Sequence, residues 1–133
     1  MALVTTKEMF DKAYAEGYAV GAFNVDSVDI MQGVMDGAVR ANSPVILAVS
    51  GRMLDDVPYI VQACKLAAHD NAVPVALHLD HGKSVELCKR CVDAGFTSVM
   101  IDASLYDFDT NVRLTREVVD YAHSCGVVVE SEL

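Results

Sequence analysis

Residues Val75–Gly82 have the sequence VALHLDHG, and this stretch decides both the expected fold and the expected position of the chemistry. Its first half is apolar, as in a parallel strand that is buried on both faces. It then ends in Asp80, His81 and a glycine. An acid and an imidazole are costly to bury without partners, and the carboxyl ends of strands are where α/β barrels carry their active sites. The stretch therefore predicts a functional strand end.

Similar apolar stretches recur along the chain. Strands are predicted to start near residues 20, 44, 73, 97 and 127, at the spacing of βα units. This alternation is typical of an open doubly wound sheet or of a (β/α)8 barrel. The first βα turn lacks the G-x-G-x-x-G of dinucleotide-binding sheets, and each predicted strand ends near a polar residue, so a barrel is favoured. Because a complete barrel needs about 250 residues, residues 1–133 are predicted to form one α/β domain, the first half of a TIM barrel with about five parallel strands.

The helices of this half-barrel are predicted from capping residues and apolar spacing. Thr5 and Glu8 form a capping box for an N-terminal helix over residues 6–16. Four βα helices follow. The first begins at Asp26 or Ser27, and its predicted inner face consists of Ile30, Val34, Ala38 and Ala41. The second is predicted to begin at Asp56 and Pro58, and the third to cover residues 84–94. The fourth is predicted to cover residues 109–124, with an inner face of Val112, Thr115, Val118 or Val119, and Ala122.

The charge and composition of the chain limit which binding partners and which cellular compartment are expected. The chain has 19 acidic residues against 10 Lys and Arg, a formal net charge of −9, and no basic stripe. Nucleic acid and anionic membranes are therefore not expected as partners. No apolar run approaches the ~18 residues of a membrane span, and residues 1–10 lack the apolar segment and the cleavage pattern of a signal peptide, so none is expected there. The four cysteines are expected to be reduced core thiols of a cytoplasmic protein, with Cys88 and Cys91 on the buried face of a helix.

Polar side chains at the predicted strand ends are the candidate functional residues. His81, Asp102 and Glu132 offer one nitrogen and two carboxylates, a donor set that suits a divalent ion. The carboxylate of Asp80 could accept a proton from a bound hydroxyl group. In the alternative interpretation, Asp80 and His81 cap the following helix and Asp102 is a loop acid.

Other polar residues near the same strand ends are weaker candidates. Asn24 and Ser50 could donate hydrogen bonds to a substrate, or they could simply form turns. His78 is expected to be a core histidine that is hydrogen-bonded to the backbone. Lys83 is expected to be a solvated residue at a helix start rather than a Schiff-base amine. Glu130 is expected on the same strand face as Glu132, unless a twist of the strand separates the two side chains.

Five motifs together resemble the N-terminal half of the class II, zinc-dependent ketose-bisphosphate aldolases, the group that acts on fructose 1,6-bisphosphate and tagatose 1,6-bisphosphate. The resemblance covers essentially the whole chain. The motifs occur in the order of the family, and they are VGAFNV at 20–25, SPVIL at 43–47, HLDHG at 78–82, SVMIDAS at 98–104 and VESEL at 129–133.

The resemblance implies a reversible retro-aldol cleavage that is assisted by zinc and yields dihydroxyacetone phosphate and glyceraldehyde 3-phosphate. His81 matches the first of three zinc-binding histidines of the family, and Asp80 matches the residue that takes the proton of the C4 hydroxyl. Asp102 and Glu132 match positions that hold zinc in a second, more buried location. The resemblance also places Asn24, together with Ser50, on the substrate side of the site.

Much of the family's machinery would follow Leu133. It comprises two more zinc histidines, the glycine-rich phosphate loops, a monovalent-cation site and a proton donor on a mobile loop. The chain alone is therefore expected to be an inactive fragment, or a piece that completes its barrel with another chain, within a homo-oligomer. Fructose 1,6-bisphosphate is the expected substrate and tagatose 1,6-bisphosphate the alternative. A non-catalytic half-barrel module and a different metal-using sugar-phosphate barrel, such as an epimerase, also remain open.

Overall fold

The computed structural model describes residues 3–56 and 59–133, within which strands and helices alternate. The strands are β1 (Gly21–Asn24), β2 (Val45–Ser50), β3 (Val75–Gly82), β4 (Ser98–Asp102) and β5 (Val128–Glu132). The helices are α1 (Thr6–Glu16), α2 (Val28–Ala41), α3 (Met53–Asp56), α4 (Ile60–Asp70), α5 (Val85–Ala94) and α6 (Phe108–Ser124). Over the same ranges, none of the helices combines the length and the apolar character that crossing a membrane requires.

The five strands form one parallel sheet in the order β1-β2-β3-β4-β5. The prediction of five parallel strands with intervening helices is therefore confirmed. One face of the sheet packs against α2, α4, α5 and α6, and this is where the main core lies. Leu47, Leu77 and Val99 point into that core and are completely buried.

The opposite face of the sheet holds the candidate site. At the amino-terminal end of the strands, Met9 of α1 packs against Ile46 and Ala76. Residues alternate between the two faces along a strand, so the positions that follow on this second face include His78 and Ser98. Further toward the carboxyl ends of the strands, this face carries the acidic residues that the sequence singled out.

Helix α1 agrees with its prediction in both its bounds and its caps. The Thr5 hydroxyl oxygen accepts a hydrogen bond from the Glu8 amide at 3.4 Å, and Gly17 ends the helix with φ of +73°. Helix α2 begins after Ser27, which is its N-cap. These helix ends could be predicted because a capping interaction is local in sequence.

The predicted inner face of α2 is only partly correct. The buried residues are Met31, Met35 and Ala38, whereas Ile30 is 47% exposed and Val34 is half-buried. The apolar stripe of α2 is wider than a single row of side chains. Spacing alone therefore did not determine which row the sheet covers.

A similar correction applies to α6. Val112 is 43% exposed and Asn111 is buried in its place. The Asn111 amide nitrogen donates to the Glu132 carbonyl oxygen at 2.7 Å, and its side-chain oxygen accepts from the Thr115 hydroxyl at 3.2 Å. Burial of this amide is tolerated because its polar atoms are hydrogen-bonded, and the contact ties α6 to the end of β5.

The predicted helix start at Asp56 and Pro58 is also revised. Asp56 is the last residue of α3, and Pro58 lies outside the described residues. The longer helix α4 begins at Ile60, after Tyr59, which makes no side-chain capping bond. The expected start was wrong because the chain forms a separate short helix before α4.

The cysteines lead to a prediction about chemical modification. Cys64, Cys88 and Cys91 are buried, and burial raises their pKa values to about 11, 11 and 12. Cys125 is exposed, so the expectation of a core thiol was wrong at this position. Since the thiolate is the reactive form, native protein should take up one iodoacetamide adduct, at Cys125, and denatured protein four. Mass spectrometry of the intact chain checks the count, and rapid native labelling of Cys88 or Cys91 would contradict the buried assignment.

Candidate metal and catalytic site

A β-bulge shapes the end of β3. Leu79 pairs with Val99 of β4 and Gly82 pairs with Ile101, so three steps along β3 match two along β4. The extra residue is accommodated at His81, whose φ is +50°, a left-handed conformation that histidine adopts more readily than most side chains.

The sequence predicts a strand over residues 73–80 that ends at the Asp80–His81 pair, and the structure corrects this end. The strand continues to Gly82, and the bulge prevents the strict alternation that would send Asp80 and His81 to opposite faces. The Nε2 atom of His81 lies 3.9 Å from Oδ1 of Asp80. The side chains of these two consecutive residues therefore lie close together.

Gly82 is buried where β3 meets β4 and α5. A Cβ atom at this position would lie 2.5 Å from the carbonyl oxygen of Met100, 2.8 Å from a methyl carbon of Leu79 and 2.9 Å from the sulfur of Cys88. The bulge therefore closes against the neighbouring strand only because no side chain stands there.

A side chain of β1 holds the carboxylate of Asp80 in place. Asn24 donates its amide nitrogen to Oδ2 of Asp80 at 2.7 Å. Ser50 of β2 is in register with Asp80, and both residues line a cavity of about 530 Å³ together with His81 and Arg52. The structure thus brings both predicted substrate-side residues next to the predicted base.

The three predicted metal ligands lie together. Nδ1 of His81 is 3.0 Å from Oδ2 of Asp102 and 3.6 Å from Oε2 of Glu132, and one donor atom from each residue falls within 4.8 Å of the others. Tetrahedral zinc with bonds of about 2.1 Å separates its ligand atoms by about 3.4 Å. Two of the observed separations bracket this value, so the donor set fits a divalent ion.

Asp102 is the most enclosed of the three. Only 8% of its side chain is exposed. The pKa of this carboxyl group is held well below its usual range, first by the Lys83 ammonium and then by hydrogen bonds from Ser104 and His81. The same bond to Asp102 is the main cause that raises the pKa of His81. The site is therefore a network of opposite charges rather than a set of separate acids.

His78 does not join this group. It is buried, and its Nδ1 atom lies 2.8 Å from the hydroxyl oxygen of Ser98, the residue in register with it on β4. The expectation of a backbone partner was therefore wrong. Burial is the main cause that lowers the pKa of His78, although Glu130, 3.7 Å from Nε2, opposes the shift. On β5, Glu130 approaches His78 and Glu132 approaches His81, so both acids lie on one face.

Lys83 is the residue that sequence reasoning underrated. Its ammonium group donates to Oδ2 of Asp102 at 2.6 Å, although 68% of the side chain is exposed. The sequence contained a signal for this ion pair. Lys83 directly follows β3, and Asp102 is the last residue of the neighbouring strand β4. Opposite charges at adjacent strand ends are close enough to pair. Ser104, which donates to Oδ1 of Asp102 at 2.7 Å, was also missed.

Comparison with known proteins identifies the fold and the family. Residues 4–133 match the family model described as class-II fructose-bisphosphate aldolase. The fructose-bisphosphate aldolases of Geobacillus stearothermophilus and Staphylococcus aureus (strain Mu50) are 49% and 47% identical to this chain over 138 aligned positions. Each alignment covers 100% of this chain and 48% of the relative, so the chain spans about half the length of the curated relatives it matches.

Solved structures agree with the sequence comparison. The YdjI aldolase from Escherichia coli K12 superposes with a TM-score of 0.92 at 35% identity, over 98% of this chain and 50% of that one. The fructose-bisphosphate aldolase of Campylobacter jejuni gives a TM-score of 0.88 at 25% identity, over 99% and 47% of the two chains. The predicted partial barrel is therefore confirmed. The chain belongs to the class-II fructose-bisphosphate aldolase family, whose members are metal-dependent lyases.

Proposed function

We propose that this chain supplies the base and part of the zinc site of an aldolase that cleaves fructose 1,6-bisphosphate to dihydroxyacetone phosphate and glyceraldehyde 3-phosphate. The observation that carries the proposal is the position of Asp80. Its carboxylate is fixed by Asn24 and lies beside His81, in a family of metal-dependent aldolases. A base next to a metal ligand is what carbon–carbon bond cleavage at a polarised ketose requires.

His81 would hold the zinc ion in one position, and Asp102 and Glu132 would hold it in a second position nearby. When bound, Zn²⁺ would supply a Lewis acid that draws electrons toward the ketose carbonyl. The approach of the three side chains, with donor atoms within 4.8 Å of one another, supports this assignment. We assign the His81 imidazole to the catalytic position and the two carboxylates to an alternative, more enclosed position.

Asp80 is assigned the proton transfer. Its carboxylate accepts the proton of the C4 hydroxyl as the C3–C4 bond breaks, and returns the proton in the condensation direction. Asn24 engages Oδ2, so Oδ1, which faces His81, is the oxygen assigned to this step. The contact makes Asn24 a positioning residue for Asp80. Substrate binding by Asn24 itself stays a prediction.

The cavity beside Asp80 is the proposed place for the sugar phosphate. Ser50 offers a hydroxyl group and Arg52 a guanidinium group to this cavity, whereas the cationic groups of Lys83 and Arg90 are paired with Asp102 and Asp55. Phosphate and hydroxyl oxygens of a sugar bisphosphate match these donors.

The remaining parts of the proposed site lie in the second half of the barrel. A catalytic zinc ion takes about three protein ligands and an open position, and this chain offers one histidine and two acids. We propose that the other zinc histidines, the phosphate loops and a monovalent-cation site come from further chain or another subunit. We also propose that the working protein is a cytoplasmic homo-oligomer and that the isolated chain does not turn over substrate.

A chimera tests the proposed reaction. Residues 1–133 are joined to the second half of the Geobacillus stearothermophilus relative, and triose phosphate release from fructose 1,6-bisphosphate is followed. We expect turnover by the chimera, loss of activity with EDTA and recovery with Zn²⁺. Tagatose 1,6-bisphosphate is assayed in parallel and should be the poorer substrate.

The controls separate this reaction from its alternatives. The isolated chain should show no cleavage under the same conditions. Borohydride should not trap substrate on a lysine, because the proposed chemistry forms no imine. A folded, zinc-loaded chimera that does not cleave either bisphosphate would instead support a non-catalytic half-barrel.

A further inference from the structure

The ammonium group of Lys83 occupies an oxygen that the proposed zinc site needs. It donates to Oδ2 of Asp102 at 2.6 Å. The same oxygen lies 3.0 Å from Nδ1 of His81. Two positively charged groups cannot approach one carboxylate oxygen from the same side without repulsion. Lys83 and a divalent ion are therefore competitors for this position.

The hydrogen bonds of Asp102 show which donor must leave. Oδ1 accepts from the amide nitrogen of Ser104 at 3.3 Å and from its hydroxyl group at 2.7 Å, while Oδ2 accepts from Lys83 and His81. A carboxylate has about four lone-pair sites, so the four donors saturate it. An incoming ion must displace one of them.

Lys83 is the donor that leaves most easily. Ser104 is only two residues from Asp102, and its backbone amide takes part in the contact. Binding of the ion by Nδ1 of His81 would replace the proton of that nitrogen and free one position on Oδ2, but the Lys83 ammonium would then stand beside the ion at the same oxygen. By contrast, 68% of the Lys83 side chain is exposed, and a long lysine side chain that moves into solvent regains its rotamer freedom.

We propose that Lys83 is a competing internal cation, which holds Asp102 in the metal-free protein and moves away when a divalent ion binds. This inference rests on the proposed zinc ligands. In the metal-free state, the ammonium offsets the repulsion among Asp80, Asp102 and Glu132, which meet at the ends of three strands. Lys83 therefore stabilises the metal-free site and lowers its affinity for metal.

Calorimetric titration of this chain with Zn²⁺ tests the role of Lys83. Lys83→Met removes the charge while keeping an unbranched side chain, and it should lower the Kd for Zn²⁺ about fivefold, as expected for the loss of one partly exposed ion pair. Lys83→Arg keeps the charge and should stay close to the parent chain. In EDTA, Lys83→Met should also melt at a lower temperature than the parent chain, because Asp102 loses its counter-ion.

Lys89→Met is the matched control. Lys89 also forms an ion pair, with Glu117 at 2.8 Å, but this pair joins α5 to α6 away from the site. Its removal should leave the Kd for Zn²⁺ unchanged. If the Lys83→Met variant keeps the circular dichroism spectrum of the parent chain but binds Zn²⁺ with an equal or higher Kd, then Lys83 does not compete with the ion.

A ligand variant separates this inference from the proposed function. His81→Ala should weaken Zn²⁺ binding. If it binds Zn²⁺ as tightly as the parent chain does, the zinc-site assignment itself is wrong. If His81→Ala weakens binding while Lys83→Met fails to tighten it, only the role of Lys83 is overturned.

Discussion

Asp80→Asn is expected to lower the kcat of the chimera for fructose 1,6-bisphosphate about a thousandfold, which lies within the range that general acid–base catalysis contributes. The amide has the same shape as the carboxylate but cannot take the C4 proton. KM should change little, because the side chain still fills the same space beside Asn24. Steady-state triose phosphate release gives both constants.

Zinc content distinguishes a lost base from a damaged site. Asp80 is not among the proposed ligands, so Asp80→Asn should retain the zinc of the parent chimera. Asp29→Asn, which neutralises an exposed acid in the first turn of α2, is the matched control and should leave kcat within twofold. Retention of more than a tenth of the parent kcat by Asp80→Asn would remove this residue from the proposed role.

Gly82→Ala is expected to lower the free energy of unfolding of this chain by about 3 kcal/mol, as overpacking of a buried position does. The new methyl group would meet the Met100 carbonyl oxygen at 2.5 Å. Because that atom belongs to the backbone of β4, no change of rotamer relieves the contact. Urea denaturation followed by circular dichroism measures the loss.

Gly37→Ala serves as the control for Gly82→Ala. Gly37 is exposed within α2, and a Cβ atom there would meet nothing within 4 Å. Alanine in a helix interior should raise stability by about 1 kcal/mol. Equal stability of the Gly82→Ala variant and the parent chain would mean that β3 and β4 can separate without cost, contrary to the close packing of the bulge.

The strands and most helix ends could be predicted because their signals are local. Apolar runs fixed the strand positions, and Thr5 and Ser84 cap their helices through bonds to residues three positions on. The buried row of α2 could not be derived in the same way. Ile30 and Met31 are both apolar, and only the position of the sheet decides which is covered.

The composition of the candidate site was predictable, whereas its internal contacts were not. Parallel strands end at the same edge of a sheet, so the acids at positions 80, 102 and 132 were expected to be near one another. The left-handed conformation of His81 depends on the register between β3 and β4, which no local pattern reveals. The ion pair of Lys83 depends on the reach of a long side chain across that register.

The order of the sheet has a consequence for how the protein is made. Each strand after β1 pairs with the strand that precedes it in the chain, so a newly synthesised strand meets a partner that has already left the ribosome. Domains generally fold as units during translation, with amino-terminal segments first. The sheet can therefore grow strand by strand in step with translation, with each new strand added beside the strand made just before it.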